Sequence, residues 1–290
     1  MSISLFIEQL LNGIQFGVML FLMAAGLTLV LGIMNLVNLA HGSIYMAGAY
    51  FAATMLLVVP SFPLALLAAL VATALFGWLL DRVVLKYFYG RSHLEQVLVT
   101  FGLIFVLNDT VRLIWGPAAI NLPLPAAIAG SIEILPGIHY PAFRLLVLGA
   151  GLLVVGALYL LIAHTRAGMW VRAGASDRSM AMALGVDVPR VFTVVFGVGA
   201  ALAGFAGMMT APLTAVQVGM GEPILILALV VTVLGGIGSV RGAFIAALLV
   251  GLVDTFGRVL LPAAIGSIGI SLLRAIILAF RPAGLFPARA

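Results

Sequence analysis

The sequence contains no cysteine in its 290 residues and only four histidines. Without cysteine, the chain forms no disulfide and offers no thiolate ligand or thiol nucleophile. The four histidines are scattered and do not form a ligand set with metal-binding spacing. The sequence therefore predicts neither a metal site nor a cofactor within this chain.

Charged residues are also scarce, at 8% of the chain, whereas soluble domains carry about 25%. No Asp, Glu, Lys or Arg lies between Glu8 and Asp81, and the mean hydropathy is +1.29. As a helix, that run reaches roughly 110 Å, which is more than three crossings of a ~30 Å hydrocarbon core. Residues 145–165 and 191–221 are further uncharged runs. This composition excludes a soluble fold and predicts a polytopic membrane protein.

The sequence also lacks the alternation of apolar and polar residues that a membrane barrel requires. Its runs of Leu, Val, Ala and Gly are apolar on every side, and as helices they satisfy their own backbone hydrogen bonds in lipid. We predict an all-α polytopic membrane protein with about 8–9 transmembrane helices, some broken or re-entrant, in one transmembrane domain over residues 1–290. The predicted spans lie near 9–31, 43–59, 63–81, 95–115, 142–163, 191–211, 223–238, 242–260 and 265–281. The short span 223–238 either crosses or re-enters.

The basic residues are unevenly distributed between the two sides of these spans. Ten Lys and Arg residues fall on the side of residues 82–93, 165–190 and the C-terminus, and three on the other side, while Arg274 lies within the last span. Because positive residues accumulate on the cytoplasmic side of a membrane, the larger group predicts the cytoplasmic side. The N-terminus and the loop at 116–141 are then outside.

Residues 165–190, called the polar segment below, carry four Arg and two Asp between two apolar runs. Asp177 stands where a helix can begin, near the positive end of its dipole, and Gly185 can end that helix. Small and apolar residues lie between them. The pattern is compatible with an ordinary solvated loop and with a short helix that docks on a second protein.

The apolar runs are interrupted in two places of similar pattern, near residues 32–43 and 234–242. Interrupted spans in matching positions of two halves indicate a transport pathway. The candidate pathway residues are Asn35, Asn38, His41, Ser43, Thr232 and Ser239, and the candidate helix-break glycines are Gly32, Gly42, Gly235, Gly236, Gly238 and Gly242. Alternatively, Asn35, Asn38 and His41 lie at headgroup level, where water satisfies them, and the glycines permit close helix packing.

No Walker A sequence, Gly-x-Ser-x-Gly elbow or His-Glu-x-x-His motif occurs, so we predict that the chain is not an enzyme. Asp254 and Arg258 lie four residues apart and are expected to pair on one helix face. Asp109 and Arg112 are a second candidate pair. Glu222 is expected at the outer mouth, where it could meet a ligand or a binding protein.

Four motifs occur in an order that resembles the branched-chain amino-acid ABC transporter permease family. They are Asn38-Leu-Ala-His41-Gly42-Ser43 with Tyr45-Met46, Thr165-Arg-Ala-Gly168 with the rest of the polar segment, Leu234-Gly-Gly-Ile-Gly-Ser239, and Arg281-Pro282-Ala-Gly284-Leu285-Phe286. The resemblance covers nearly the whole chain. It departs from the Glu-Ala-Ala coupling motif of many other importers, because Ala175-Ser-Asp177 stands near that position.

The resemblance implies a permease subunit of an ATP-driven importer for branched-chain or related amino acids, working by alternating access. The polar segment would be its cytoplasmic coupling segment, carried by Arg172, Ala173, Asp177, Arg178, Ala181, Leu184 and Gly185. The implied partners are two ATP-binding subunits, which bind the ATP, a second homologous permease, an extracytoplasmic binding protein and the lipid of a bacterial inner membrane. The alternative is a secondary carrier or channel for a small polar solute such as urea or an amide, with Asp254 as the candidate ion-coupling carboxylate.

Overall fold

The computed structural model describes residues 3–260, 279, 281 and 284–286. Apart from positions 279 and 281, the predicted span 265–281 lies outside the described residues. Arg274, Pro282 and Arg289 also lie outside them.

Apolar helices make up most of the described chain. Seven of them are long and apolar enough to cross a membrane, and α9 is a shorter apolar helix. In chain order the helices are α1 (Ile3–Leu29, continued by a π-helical turn at Val30–Met34), α2 (His41–Val58), α3 (Phe62–Val83), α4 (His93–Trp115), α5 (Ala142–His164), α6 (Arg166–Ser176), α7 (Arg178–Ala183), α8 (Val188–Thr210), α9 (Gly221–Gly235) and α10 (Val240–Leu260). A 3-10 turn at Leu85–Phe88 follows α3. The predicted fold class is confirmed, and each predicted span before residue 261 corresponds to one of these helices.

A β-hairpin interrupts the helical architecture between α4 and α5, where we predicted only a loop. Strand β1 (Ser131–Leu135) pairs antiparallel with β2 (Ile138–Pro141). The turn between them uses Gly137 at φ 80°. Tyr140 is buried and donates a 2.9 Å hydrogen bond to Asn12 Oδ1 of α1, and burial raises the pKa of its hydroxyl, which keeps it a donor. The hairpin therefore marks one end of the bundle, called the hairpin end, and the polar segment marks the polar end.

Helix α1 is the centre of the bundle and packs against α5, α8, α9 and α10. Every residue from Gly17 to Val30 is buried. In contrast, α4 buries only one stripe along its length, at Gln96, Thr100, Ile104 and Val111, and α5 likewise buries one stripe. Because the remaining faces of α4 and α5 are apolar and exposed, these two helices lie at the periphery, where a membrane protein meets lipid tails.

Glycines bring the central helices into backbone contact. A Cβ placed on Gly26 of α1 would lie 2.7 Å from the carbonyl oxygen of Gly199 on α8, and one on Gly17 would lie 2.9 Å from the carbonyl oxygen of Ala247 on α10. A Cβ on Gly48 of α2 would lie 2.5 Å from the Cα of Gly204 on α8. Small residues allow this approach, which is how membrane helices gain packing without a hydrophobic driving force between them.

We expect Gly207→Ala to destabilise the protein, because a Cβ at Gly207 would strike the carbonyl oxygen of Tyr45 on α2. Overpacking of this kind costs about 1–3 kcal/mol. The matched control is Gly197→Ala in the same helix, where a Cβ meets no atom within 4 Å and helix propensity gains up to about 1 kcal/mol. The midpoint of thermal unfolding of the purified protein in detergent should fall for the first variant only. Equal midpoints would show that α2 and α8 do not touch at this glycine.

Candidate functional site

The chain turns back into the bundle after α1. The π-helical turn ends at Met34, and Asn35 adopts a left-handed conformation with φ 52°. The start of α2 then lies well inside, since the imidazole of His41 packs against Gly26 of α1, eight residues before Met34. Residues 35–40 therefore form a re-entrant segment that runs back alongside the end of α1.

Two side chains of α4 satisfy the backbone of this re-entrant segment. Val37 donates its N–H to Gln96 Oε1 at 3.0 Å, and Leu39 donates its N–H to Thr100 Oγ1 at 3.2 Å. Gln96 also donates to the carbonyl oxygens of Phe88 and Arg91 at 3.2 Å. Irregular backbone at membrane depth needs such partners. Sequence reasoning missed both residues, although two buried polar residues four apart in an apolar helix were a usable signal.

The polar residues around the start of α2 lie in the interior. Asn38, His41 and Ser43 are 1%, 0% and 4% exposed, whereas Asn35 is exposed. The side chains of Asn38 and Ser43 find no hydrogen-bond partner among the described residues. Asn38 and His41 therefore do not occupy the solvated headgroup position considered above. Unpartnered polar groups in an interior are costly, so they mark a place where another polar group is expected.

The first turns of α2 and α9 meet beside this cluster. A Cβ on Gly42 would lie 2.7 Å from the carbonyl oxygen of Gly221, so Gly42 lies within α2 and serves close approach there. Next to it, Glu222 accepts a 2.7 Å hydrogen bond from Asn108 of α4. Deeper along α9, Thr28 of α1 donates to Thr232 at 3.2 Å. The first turns of α2 and α9 are thus in backbone contact in the interior of the bundle.

The turn between α9 and α10 is built from glycines. Gly236 and Gly238 adopt positive φ of 98° and 82°, which a side chain would strain. Gly235 and Gly242 pack backbone to backbone across this turn, and Gly32 of α1 packs against Gly238. The Ser239 hydroxyl accepts from the N–H of Gly242 at 3.1 Å. The predicted helix-break glycines other than Gly42 are therefore gathered at the polar end, against the last turn of α1.

The polar segment folds as two short helices. Thr165, Asp177 and Asp187 cap the N-termini of α6, α7 and α8, each accepting a backbone N–H with its side chain. Gly185 follows α7 with φ 86°. We placed one helix start between Arg172 and Asp177. The residues before Asp177 instead belong to α6, because Thr165 already caps a helix there.

The two arginines singled out in the polar segment bond to membrane helices. Arg172 donates to the carbonyl oxygen of Ile162 on α5. Arg178 donates to the carbonyl oxygen of Ile33, in the π-helical turn after α1, at 3.0 Å, and its guanidinium stacks 4.9 Å from the ring centre of Phe192 on α8. Ala181 lies on the buried face of α7. Large apolar side chains are also exposed here, since Met180, Met182 and Leu184 are 58%, 52% and 77% exposed.

A cavity of about 640 Å³ opens at the hairpin end, between α1, α5, α9 and α10. Its wall includes Gln15, Tyr45, Thr214, Arg144 and the ion pair Asp254–Arg258, whose N–O distance is 2.8 Å. Phe16, Leu20, Ile224 and Leu227 make other parts of the wall apolar. The cavity thus offers both charged and apolar surface to a small molecule.

The second expected ion pair, Asp109–Arg112, is exposed on α4 at 3.3 Å. Glu222 is held by α4 as described and does not line this cavity. No group of three His, Asp or Glu able to hold a metal occurs among the described residues.

A bundle of helices long and apolar enough to cross a membrane, with a partly polar cavity at one end and a re-entrant segment in its interior, has the architecture expected of a membrane transport protein. The chain belongs to the family described as "Branched-chain amino acid transport system / permease component", which residues 9–280 match. Members of this family are transport subunits rather than enzymes.

Curated relatives agree with this assignment. The high-affinity branched-chain amino acid transport system permease protein BraD of Pseudomonas aeruginosa is 31% identical over 97% of this chain and 95% of its own length. The corresponding permease protein LivH of Escherichia coli K12 is 29% identical over the same shares, and the probable permease protein LivH of Methanocaldococcus jannaschii is 26% identical over 90% and 84%. No solved structure matches the chain at a significant level.

We expect Thr100→Val to destabilise the re-entrant segment, because the N–H of the half-buried Leu39 loses its acceptor. An unsatisfied buried donor costs about 1–3 kcal/mol. The matched control is Thr110→Val in the same helix, where the hydroxyl is exposed and bonds only to its own helix at Val106. Thermal unfolding in detergent and uptake activity should both fall for Thr100→Val alone. A Thr100→Val protein as stable as the control would mean that α4 does not hold this segment.

Proposed function

We propose that this chain is the permease subunit of an ATP-driven importer for branched-chain or related amino acids. The match of residues 9–280 to the permease family carries the proposal, and the names of the relatives supply the substrate class. The cavity at the hairpin end supports it, because charged and amide groups suit the ammonium and carboxylate of an amino acid while the apolar wall suits a branched side chain.

The proposed pathway leads from this cavity to the polar end past the junction of α2 and α9. Asn38, His41 and Ser43 lie at the junction, Thr232 lies deeper along α9, and Ser239 and Asn35 lie near the far end. The amide of Asn38 and the hydroxyl of Ser43 have no hydrogen-bond partner within the described ranges, which supports a role in passing a polar solute. The backbone contacts of Gly42 with Gly221 keep the junction closed until the two helices move apart.

The polar end faces the cytoplasm of a bacterial inner membrane in this proposal. Arg82, Lys86, Arg91 and the arginines of the polar segment lie at this end, and cytoplasmic surfaces collect such residues. The proposed partners are two ATP-binding subunits on this side, which bind the ATP, and an extracytoplasmic binding protein on the other side. A second homologous permease completes the complex as a heterodimer, and this chain binds no cofactor of its own.

Helix α7 is the proposed docking element for an ATP-binding subunit. Its exposed Met180, Met182 and the following Leu184 offer an apolar knob that suits a groove on a partner. Arg178 joins the underside of α7 to the carbonyl oxygen of Ile33. A movement of α7 therefore acts on the turn after α1, where Gly32 packs against Gly238.

Transport then follows alternating access. ATP binding draws the partner subunits together, α7 moves with them, and the pull on the π-helical turn shifts α1 against α9 and α10. Substrate shifts the equilibrium only if it binds the two states with unequal affinity.

Leu184→Asp should abolish both ATP-dependent uptake and association with the ATP-binding subunit, because it places a charge in the apolar contact. Arg178→Gln should keep association and lose most uptake, because it cuts the link to α1 without changing the exposed knob. Association is measured by co-purification, and uptake by radiolabelled leucine entering vesicles reconstituted with all subunits, the binding protein and ATP.

The control is Gly90→Asp, an exposed position at the same end where an added side chain meets nothing within 4 Å. It should associate and transport normally. Loss of association in Arg178→Gln, or normal transport in Leu184→Asp, would contradict the assigned roles. Uptake that a proton or sodium gradient drives without ATP, and that Asp254→Asn abolishes, would replace the importer with a secondary carrier.

Ser43→Cys should react with a water-soluble maleimide at a rate that changes between the resting complex and the complex trapped with ATP. The chain has no cysteine of its own, so labelling reports this position alone. Ala53→Cys, buried in the apolar part of the same helix, should stay unlabelled in both states. Labelling of Ser43→Cys that ignores both ATP and substrate would remove this position from the pathway.

A further inference from the structure

A second cavity lies at the polar end, away from the proposed pathway. It has a volume of about 630 Å³ and is lined by residues at the end of α3, in the 3-10 turn that follows, and at the start of α8. Its walls carry Arg82, Lys86 and Arg190 against one lining carboxylate, Asp187. Asp81 is buried and accepts a hydrogen bond from the hydroxyl of Tyr89. It lies behind the wall and does not line the cavity. The lining therefore carries more cations than carboxylates, and Asp81 behind it acts electrostatically on both Arg82 and Lys86.

Two of its three cations have no ion-pair partner within the described part of the chain. Arg190 is paired with Asp187 at 2.8 Å. No described carboxylate lies within ion-pair distance of Arg82 or Lys86, and both side chains are exposed. The Arg82 guanidinium lies 6.0 Å from the ring centre of Trp78, and the Lys86 ammonium lies 4.7 Å from that of Tyr87. The aromatic rings hold the two cations in place and leave their N–H groups available for phosphate oxygens.

Exposed apolar side chains stand next to the lining residues Arg82 and Thr193 on the same helices. Trp78 and Val83 on α3 and Val194 on α8 are large apolar residues that are 46%, 60% and 59% exposed. Since α3 and α8 are both long enough to cross a membrane, we expect these side chains at the polar ends of the two helices to face lipid tails near the headgroups. A molecule with an anionic phosphate and apolar tails can place the phosphate among the cations and its tails along Trp78 and Val194.

We propose that this cavity binds the phosphate headgroup of an anionic phospholipid, held by Arg82 and Lys86 and bordered by Arg190. Asp187, in the same wall, caps α8 by accepting the N–H of Arg190 at 3.1 Å. Asp187 also stands directly before α8, where the polar segment joins this membrane helix. A bound lipid therefore braces the junction between the polar segment and the membrane helices. The assignment does not depend on which amino acids the permease carries.

The test measures lipid retained by the purified full-length protein in native mass spectrometry, titrated with phosphatidylglycerol, phosphatidylcholine or inorganic phosphate. Wild type should retain phosphatidylglycerol in preference to phosphatidylcholine. Arg82→Gln/Lys86→Gln should weaken phosphatidylglycerol binding about thirtyfold, because each of the two cations contributes about 1 kcal/mol near an anionic lipid surface and about 1.4 kcal/mol is tenfold. Lys86→Arg should keep it.

The control is Arg91→Gln/Arg166→Gln, which removes two positive charges from the same end but outside the cavity. It should bind phosphatidylglycerol as wild type does. Equal losses in the two double variants would reduce the effect to general surface charge and overturn the site. Wild type that retains phosphatidylglycerol and phosphatidylcholine equally would also overturn the site. Displacement of the lipid by millimolar inorganic phosphate would assign the cavity to free phosphate instead.

Discussion

The architecture depends on backbone contact between helices at glycine. Gly26 meets Gly199, Gly48 meets Gly204, Gly42 meets Gly221 and Gly17 meets Ala247, so that α2, α8, α9 and α10 converge around α1. Lipid tails are as apolar as the side chains they would replace, so the helices gain little from hydrophobic burial and must gain contact area by close approach. The same contacts leave no space at the junction of α2 and α9. The stability of the bundle and the closure of the proposed pathway thus both come from backbone contact at glycines.

Polar residues are placed where this packing cannot satisfy the backbone. The re-entrant segment has no helix to supply its hydrogen bonds, and Gln96 and Thr100 supply them from α4. The side chains of Asn38 and Ser43, which no other described residue partners, lie beside it. At the other end of the same region, Arg178 donates a hydrogen bond to the carbonyl oxygen of Ile33. The interior break and the polar segment are therefore linked through a few residues at the last turn of α1, which gives a short mechanical path between the proposed docking helix and the closed junction.

Much of this was readable from the sequence. The uncharged runs gave the helices and most of their bounds, and the Asp254–Arg258 and Asp109–Arg112 pairs followed from helical spacing. The hairpin was missed, since its strands are short and one is exposed throughout. The start of α6 was missed because the helix signal at Asp177 belongs to α7, and the cap at Thr165 was overlooked. The sequence left open whether Asn38 and His41 lie in the interior or at the level of the headgroups. Hydropathy shows that an apolar run is interrupted, but it does not show how deep in the membrane the interruption lies.

The sequence by itself determined that this is a helical membrane protein of a permease family, because scarcity of charge and the order of motifs are properties of the chain alone. Only the tertiary structure decided that residues 35–40 fold back into the interior, that Gln96 and Thr100 hold them, and that Arg178 contacts α1 from beneath α7. Each of these joins residues far apart in sequence, where the partner is set by how closely two helices approach. That approach depends on how the whole bundle packs, and the linear order of residues does not contain it.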